Sequence, residues 1–153
     1  NLEEIDSKDL KGKFKNRDIQ KKYIALIQGT LPSETGIIKL PLARSIQNRS
    51  KRIVAQKGRL SITNYEVKYF DHSSNISKIE LELVTGRNHQ IRAHMEHMKT
   101  PVVNDTLYGA SKNNLIPTDS IALHSASIKF NFDNEVHSFE TNEPSFFNRV
   151  LDV

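Results

Sequence analysis

Cysteine is absent from the 153 residues, which removes any disulfide framework, thiol nucleophile or thiolate zinc site and fits a reducing compartment. No apolar run approaches the ~20 residues that a membrane helix needs. The opening Asn1-Leu2-Glu3-Glu4 also lacks the basic-then-apolar pattern of a secretory leader, so neither a membrane nor a secretory class is expected and the cytoplasm is the default. Neither GxxxxGKS/T nor GxGxxG occurs, which disfavours an NTPase or a Rossmann enzyme. Gly-x-Ser-x-Gly is missing, and with it the hydrolase elbow. The five prolines are scattered and no repeat marks a linker, so the chain reads as one domain.

What the sequence does hold is unevenly placed charge. Net charge is +4, but Thr35 to Tyr65 carries Lys39, Arg44, Arg49, Lys51, Arg52, Lys57 and Arg59 with no acid. Asn131 to Val153 carries Asp133, Glu135, Glu140, Glu143 and Asp152 against Arg149 alone. A basic block gathered on one face is the footprint of a phosphate-backbone partner. The plain alternative is a solvated loop kept soluble by its cations.

Periodicity supplies the elements. Ser7 to Ile19 reads as a short amphipathic helix, with Leu10, Phe14 and Ile19 among lysines. Tyr23–Ile27 is a buried strand stopped at Gln28-Gly29, and Gly36–Leu40 is a second strand closed by Pro41. Arg59–Phe70 alternates with β-branched and aromatic content, and Ile79, Leu81 and Leu83 alternate with Lys78, Glu80 and Glu82. From Asn88 the period changes, since Ile91, Met95 and Met98 line one face of a helix ending before Pro101. Ile121–Phe130 and Val136–Glu140 read as strands. The expected class is α+β, with a largely antiparallel mixed sheet and flanking helices.

His89, His94 and His97 raise the question of a metal. His89 stands five residues before His94, about 140° round a helix, and His94-Met95-Glu96-His97 is not His-Glu-x-x-His, so no metal site is expected. The densest polar stretch is Thr85-Gly86-Arg87-Asn88-His89-Gln90-Ile91-Arg92-Ala93-His94. It leaves the best strand and opens the helix. Free N–H groups at a helix N-terminus, with Arg87 and Arg92 beside them, suit a carboxylate or a phosphate. The ordinary fate of such arginines is pairing with surface acids such as Glu80 or Glu82.

That stretch resembles the TGRxHQIRxH signature of the RluA-type pseudouridine synthases, which isomerise uridine in RNA. Further matches follow in family order. Lys21-Lys22-Tyr23-Ile24-Ala25-Leu26-Ile27-Gln28-Gly29 resembles KxYxAxxxG, Gly36 to Arg44 resembles GxIxxPLxR, and Thr63-Asn64-Tyr65-Glu66-Val67 resembles TxYxV. Pro101 to Gly109 is similar to PIxGDxxYG, with Asn104 in place of a glycine, and Ala122-Leu123-His124-Ser125-Ala126 is similar to ALHA. The similarity runs from about Lys11 to Pro144. The family's nucleophilic aspartate stands in an HRLDxxTSG motif before the KxY strand, and none of the eight aspartates here follows Arg-Leu. The resemblance therefore implies a partial pseudouridine synthase-like catalytic domain, its C-terminal portion, without the nucleophile and inactive alone.

The resemblance also implies roles. Arg87 would hold the catalytic carboxylate ionised and aimed, and Tyr23 would stack on the flipped uracil and assist proton removal. Leu123 of the ALHA strand would line the substrate site. Arg44, Arg49, Lys51 and Arg52 would hold RNA phosphates, and His89, Gln90 and Arg92 would shape the pocket. No cofactor is expected, the implied partner is ribosomal or transfer RNA, and an uncovered sheet edge would favour self-association. A second reading is an RNA-binding module that kept the basic surface and lost the chemistry.

Overall fold

The computed structural model describes residues 19–151. In chain order the elements are β1 (Ile19–Gln28), β2 (Thr35–Lys39), β3 (Leu42–Arg44), β4 (Arg52–Val54), β5 (Ile62–Asp71), β6 (Ile76–Leu83), α1 (Gln90–His97), a 3₁₀ turn (Thr106–Tyr108), β7 (Leu123–Phe132), β8 (Glu135–Glu140) and α2 (Phe146–Leu151). Six strands form one sheet in the order β2-β5-β6-β1-β7-β8, every neighbour antiparallel, while β3 and β4 pair as a separate hairpin.

β1 lies inside the sheet, and its run Ala25-Leu26-Ile27 is apolar on consecutive residues, so both faces of this strand must be covered. All three are fully buried, as are Ile79 and Leu81 of β6. Each such leucine or isoleucine contributes about 1.5–3 kcal/mol by leaving water. Register places Tyr23 opposite Leu81 and Ser125, and Ala25 opposite Ile79 and Leu123. Directly opposed residues share a sheet face, so Tyr23 and Leu123 look out from the same side. Thr63 pairs with Leu83 on that side, and its hydroxyl bonds both Gln90 and His94 of α1. The helix therefore lies over the face that carries Tyr23. Just before Tyr23 the β1–β7 register shifts, Lys22 facing Ser127 and Tyr23 facing Ser125, which leaves Ala126 as the extra residue of a bulge.

The structure differs from the sequence reading at four points. Arg59 does not open β5; it bridges back to Leu42, exchanging hydrogen bonds at 2.9 and 2.8 Å, and the strand starts at Ile62. The cationic stretch, to which the sequence assigned no element, holds the β3–β4 hairpin, too short for alternation to show. α1 starts at Gln90 rather than Asn88, because His89 sits in the left-handed region at φ 55° and cannot continue a helix. α2 has no counterpart in that reading. The expected helix at Ser7 to Ile19 lies outside the described residues except for Ile19, which opens β1.

Candidate active site

The loop after β6 and the β3–β4 hairpin enclose an open basin of about 420 Å³ lined by Leu42, Ala43, Arg44, Arg52, Lys57, Gly58, Arg59, Gly86, Arg87 and Asn88. Five of these ten residues are cations and none is an acid. Arg44 and Arg52 stand directly opposite each other across the hairpin, a like-charge pairing that costs stability. None of the five is ion-paired among the described residues. A site that concentrates uncompensated positive charge in a concavity is built for an anion.

Gly58 makes the wall possible. A Cβ there would stand 2.6 Å from the backbone carbonyl of Leu42, so only glycine lets the Lys57–Arg59 segment lie against β3. Arg87 is exposed and does not pair with Glu80 or Glu82. Its Nε and Nη2 donate to the Leu60 carbonyl at 3.4 and 3.2 Å, and Glu80 is taken by Lys22 and Lys68. Lys21 of β1 reaches the same loop, since a Cβ on Gly86 would lie 3.6 Å from its Nζ. Burial lowers its pKa from the usual lysine value.

The arginine loop is held from beneath by a buried amide. Gln90, 2% exposed, donates through Nε2 to the Ile62 carbonyl and to the Thr63 hydroxyl, both at 2.9 Å. Its Oε1 accepts the Thr85 hydroxyl at 2.7 Å and the Arg87 backbone N–H at 3.0 Å. Gln90 thus ties the start of β5 to the turn bearing Arg87. His94 continues the chain of bonds. Its Nε2 lies 3.1 Å from the Leu40 carbonyl, which only accepts, so Nε2 carries the proton and Nδ1 accepts from Thr63 at 2.9 Å. Burial, the largest influence, holds this imidazole below its ordinary pKa and keeps it neutral.

A second network supports the hairpin. Asp105, 1% exposed, receives Nε and Nη2 of Arg92 at 2.8 Å each, a two-pronged pair whose hydrogen bonding raises the arginine pKa above its usual value. The Arg92 guanidinium also stacks 4.8 Å over the Tyr108 ring, and its Nη1 lies 3.2 Å from Nε2 of His89. A guanidinium only donates, so Nε2 accepts and His89 is protonated on Nδ1, which donates to the Tyr108 hydroxyl at 2.8 Å. That hydroxyl also accepts the backbone N–H of Arg52 at 2.8 Å. Desolvation first, then the charges of Arg92 and Arg52, push the His89 pKa down.

The structure therefore gathers Arg44, Arg52 and Arg87 in one basin and places the other expected residues around it. His89, Gln90 and Arg92 lie beneath, bonded to its walls. Tyr23 and Leu123 do not line the basin; both are half-buried on the sheet face that bonds α1 through Thr63. Arg49 is exposed on the hairpin turn, and Lys51 points to Glu96 at 2.6 Å. Among the described residues no group of three His, Asp or Glu is placed to hold a metal. Lys57, Arg59, Asp105 and Tyr108 were not among the residues the sequence assigned to the site. The first two stood in the acid-free block, and the last two in the Pro101–Gly109 segment, where spacing alone gives no role.

A sequence profile of the RNA pseudouridylate synthase family matches residues 7–97. The chain is 32% identical over 151 residues to the dual-specificity RNA pseudouridine synthase RluA of Haemophilus ducreyi, covering 95% of this chain and 67% of that protein. It is 34% identical over 130 residues to the ribosomal large subunit pseudouridine synthase C of Buchnera aphidicola subsp. Baizongia pistaciae, covering 80% and 41%. Among solved structures, human RNA pseudouridylate synthase domain containing 1 superposes with a TM-score of 0.74 at 26% identity, covering 88% of this chain and 58% of that one. The chain thus spans from about two fifths to two thirds of the length of these proteins.

Proposed function

The chain belongs to the RNA pseudouridylate synthase family, and from that premise we propose that it supplies the arginine, tyrosine and RNA-holding part of a cytoplasmic enzyme that isomerises uridine to pseudouridine in ribosomal or transfer RNA. The observation that carries this reading is the acid-free basin in which Arg87, on the signature loop, meets Arg44, Arg52, Lys57 and Arg59 of the hairpin.

The reaction breaks the N1–C1′ bond of uridine, turns the uracil and rejoins C1′ to C5, with the C5 hydrogen released as a proton and a proton taken up at N1. It consumes no cofactor. A carboxylate acting on the nucleotide needs a cation beside it, and Arg87 is that cation in this reading, held by Gln90 through its own backbone N–H and by the Leu60 carbonyl through its side chain. Among the described residues no aspartate lines the basin, and Asp105 is committed to Arg92. In this reading the nucleophile belongs to an HRLD motif, which these 153 residues do not contain, and the chain alone is expected to be inactive. In this reading Tyr23, outside the basin but on the same face of β1 as Lys21, whose Nζ reaches the Gly86 turn, takes the extruded uracil against the exposed part of its ring, Leu123 shares that face, and the basin cations hold the flanking phosphates.

The test is release of tritium from RNA labelled at C5 of uridine. The chain alone is expected to bind the RNA and release nothing. Joined behind an HRLD-bearing segment from a family member it should release tritium, and Arg87→Ala should abolish release while most RNA affinity survives. Binding without turnover in the joined protein would make the chain a binding module; no binding in either form would remove the RNA reading altogether.

A further inference from the structure

Ile46 is 96% exposed, the most exposed large apolar residue among those described; the next, Val136, is 64% exposed. Scattered surface apolar residues are ordinary, and exposure alone would assign Ile46 nothing. Its setting is different. Ile46 stands on the turn that joins β3 to β4, and that turn is closed by four hydrogen bonds. The Ser45 N–H donates to the Lys51 carbonyl and the Lys51 N–H to the Asn48 carbonyl, both at 2.9 Å. The Asn48 N–H donates to Ser45 Oγ and the Ser50 N–H to Asn48 Oδ1, both at 3.1 Å. Ser45, beside the isoleucine, is buried at 7% exposure and anchors the turn. The apolar tip is presented by a built loop, not left over from an unpacked one.

Within six residues of this tip stand Arg44, Arg49 and Arg52, in a stretch of sequence without an acid, while Lys51 is turned to Glu96. The hairpin below is tied to α1 by the Lys51–Glu96 pair and to the 3₁₀ turn by the bond from the Arg52 N–H to Tyr108. An apolar point flanked by cations on a braced hairpin matches one kind of surface: a nucleic acid, whose phosphates take the cations while the aliphatic side chain enters between stacked bases. A protein partner for an exposed isoleucine would be expected to bring an apolar pocket, which gives the surrounding cations nothing to do. We infer that the β3–β4 hairpin is an unstacking wedge, in which Ile46 inserts at a base step of the bound RNA and opens it while Arg44 and Arg49 hold the adjoining phosphates. Opening a step next to the target lowers the cost of extruding the uridine, which every enzyme that works on a base must meet.

The inference rests on the RNA reading above and is tested separately from it. The 153-residue chain is titrated into a stem-loop RNA carrying 2-aminopurine beside a loop uridine, with binding followed by anisotropy of an end label and unstacking by 2-aminopurine emission. Emission is expected to rise on binding. Ile46→Ser should lose that rise with affinity nearly unchanged, and Ile46→Leu should restore it; because the side chain touches little of its own protein, neither variant is expected to alter melting. RNA bound without a rise, or the same rise from Ile46→Ser, overturns the wedge and leaves the RNA reading intact. No binding by the unmodified chain overturns both. Concentration-dependent self-association without RNA that Ile46→Ser abolishes would assign the tip to a second copy of the chain and also overturn the wedge.

Discussion

The Tyr108 hydroxyl and the Arg52 backbone N–H meet at 2.8 Å, although 56 positions separate them in the chain. The same oxygen accepts from His89, so one buried hydroxyl joins the cationic hairpin to the residue that opens α1. Orientation of the basin wall relative to Arg87 depends on this junction.

Tyr108→Phe keeps the ring on which Arg92 stacks and removes the acceptor of two N–H groups. Leaving donors unsatisfied in a largely buried place is expected to cost about 1–3 kcal/mol. Urea unfolding would measure it, and RNA affinity should fall with it because Arg52 loses its brace. An unchanged midpoint would mean that the hairpin is held by the Lys51–Glu96 pair alone.

Gly58→Ala addresses the opposite wall. The added Cβ would meet the Leu42 backbone at 2.6 Å, and backbone cannot swing aside as a side chain does. The Lys57–Arg59 segment must then lift from β3, at a cost of about 1–3 kcal/mol by analogy with overpacked cores. The expected signature is a lowered melting temperature together with weaker RNA binding. Weaker binding with melting unchanged would show that the segment shifts freely.

Much of this architecture is legible in the order of the residues. Strand β6 alternates Ile79, Leu81 and Leu83 with charged neighbours, and β1 is a plain apolar run; both depend on near-neighbour patterns that sequence displays directly. The hairpin does not show there, because three-residue strands contain no period and their pairing is set by Gly58 and the Leu42–Arg59 bridge. In the site, the cations of the basic block and Arg87 are visible as residue types. What stays hidden is which of them converge: Lys51 turns away to Glu96 while Lys57 and Arg59 join Arg87. Asp105 and Tyr108 are hidden for the same reason, since their roles exist only through bonds to residues far along the chain.

Acid should weaken the fold through two of its hydrogen-bonded imidazoles, His89 and His94. His89 and His94 both have pKa values pushed below the ordinary histidine value, His94 chiefly by burial and His89 by burial and then by Arg92. A lowered folded pKa means that the unfolded chain binds the proton first, at about pH 6.5. Their contribution is therefore complete above that pH and is lost as pH falls below it toward the folded values, because ∂ΔG/∂pH is positive wherever the unfolded state holds more protons. Protonating His94 at Nδ1 also removes the acceptor that Thr63 uses. Melting temperature is expected to be level in this respect down to about pH 6.5 and to decline below it. NMR of the two rings should show neither charging at the ordinary histidine pH. A ring that titrates normally while the fold stays intact would contradict the buried geometry.

Salt dependence separates the basin cations from the one that turns away. Each phosphate that a variant no longer neutralises should lessen the slope of log affinity against log salt by about 0.7 for single-stranded RNA. Arg44, Lys57 and Arg59 face the basin without an ion pair among the described residues, so alanine at any of them should both weaken binding and flatten the slope by about that amount if it holds one phosphate. Lys51 is neutralised by Glu96 at 2.6 Å before any RNA arrives. Its replacement should change the slope less than that of Arg44, because a cation already paired within the protein displaces few counterions from the nucleic acid. Equal flattening by Lys51→Ala and Arg44→Ala would mean that the Lys51–Glu96 pair opens on binding and that the RNA track extends along the outer side of α1. Slopes unchanged by all four substitutions would place the phosphates elsewhere and leave the basin to another anion.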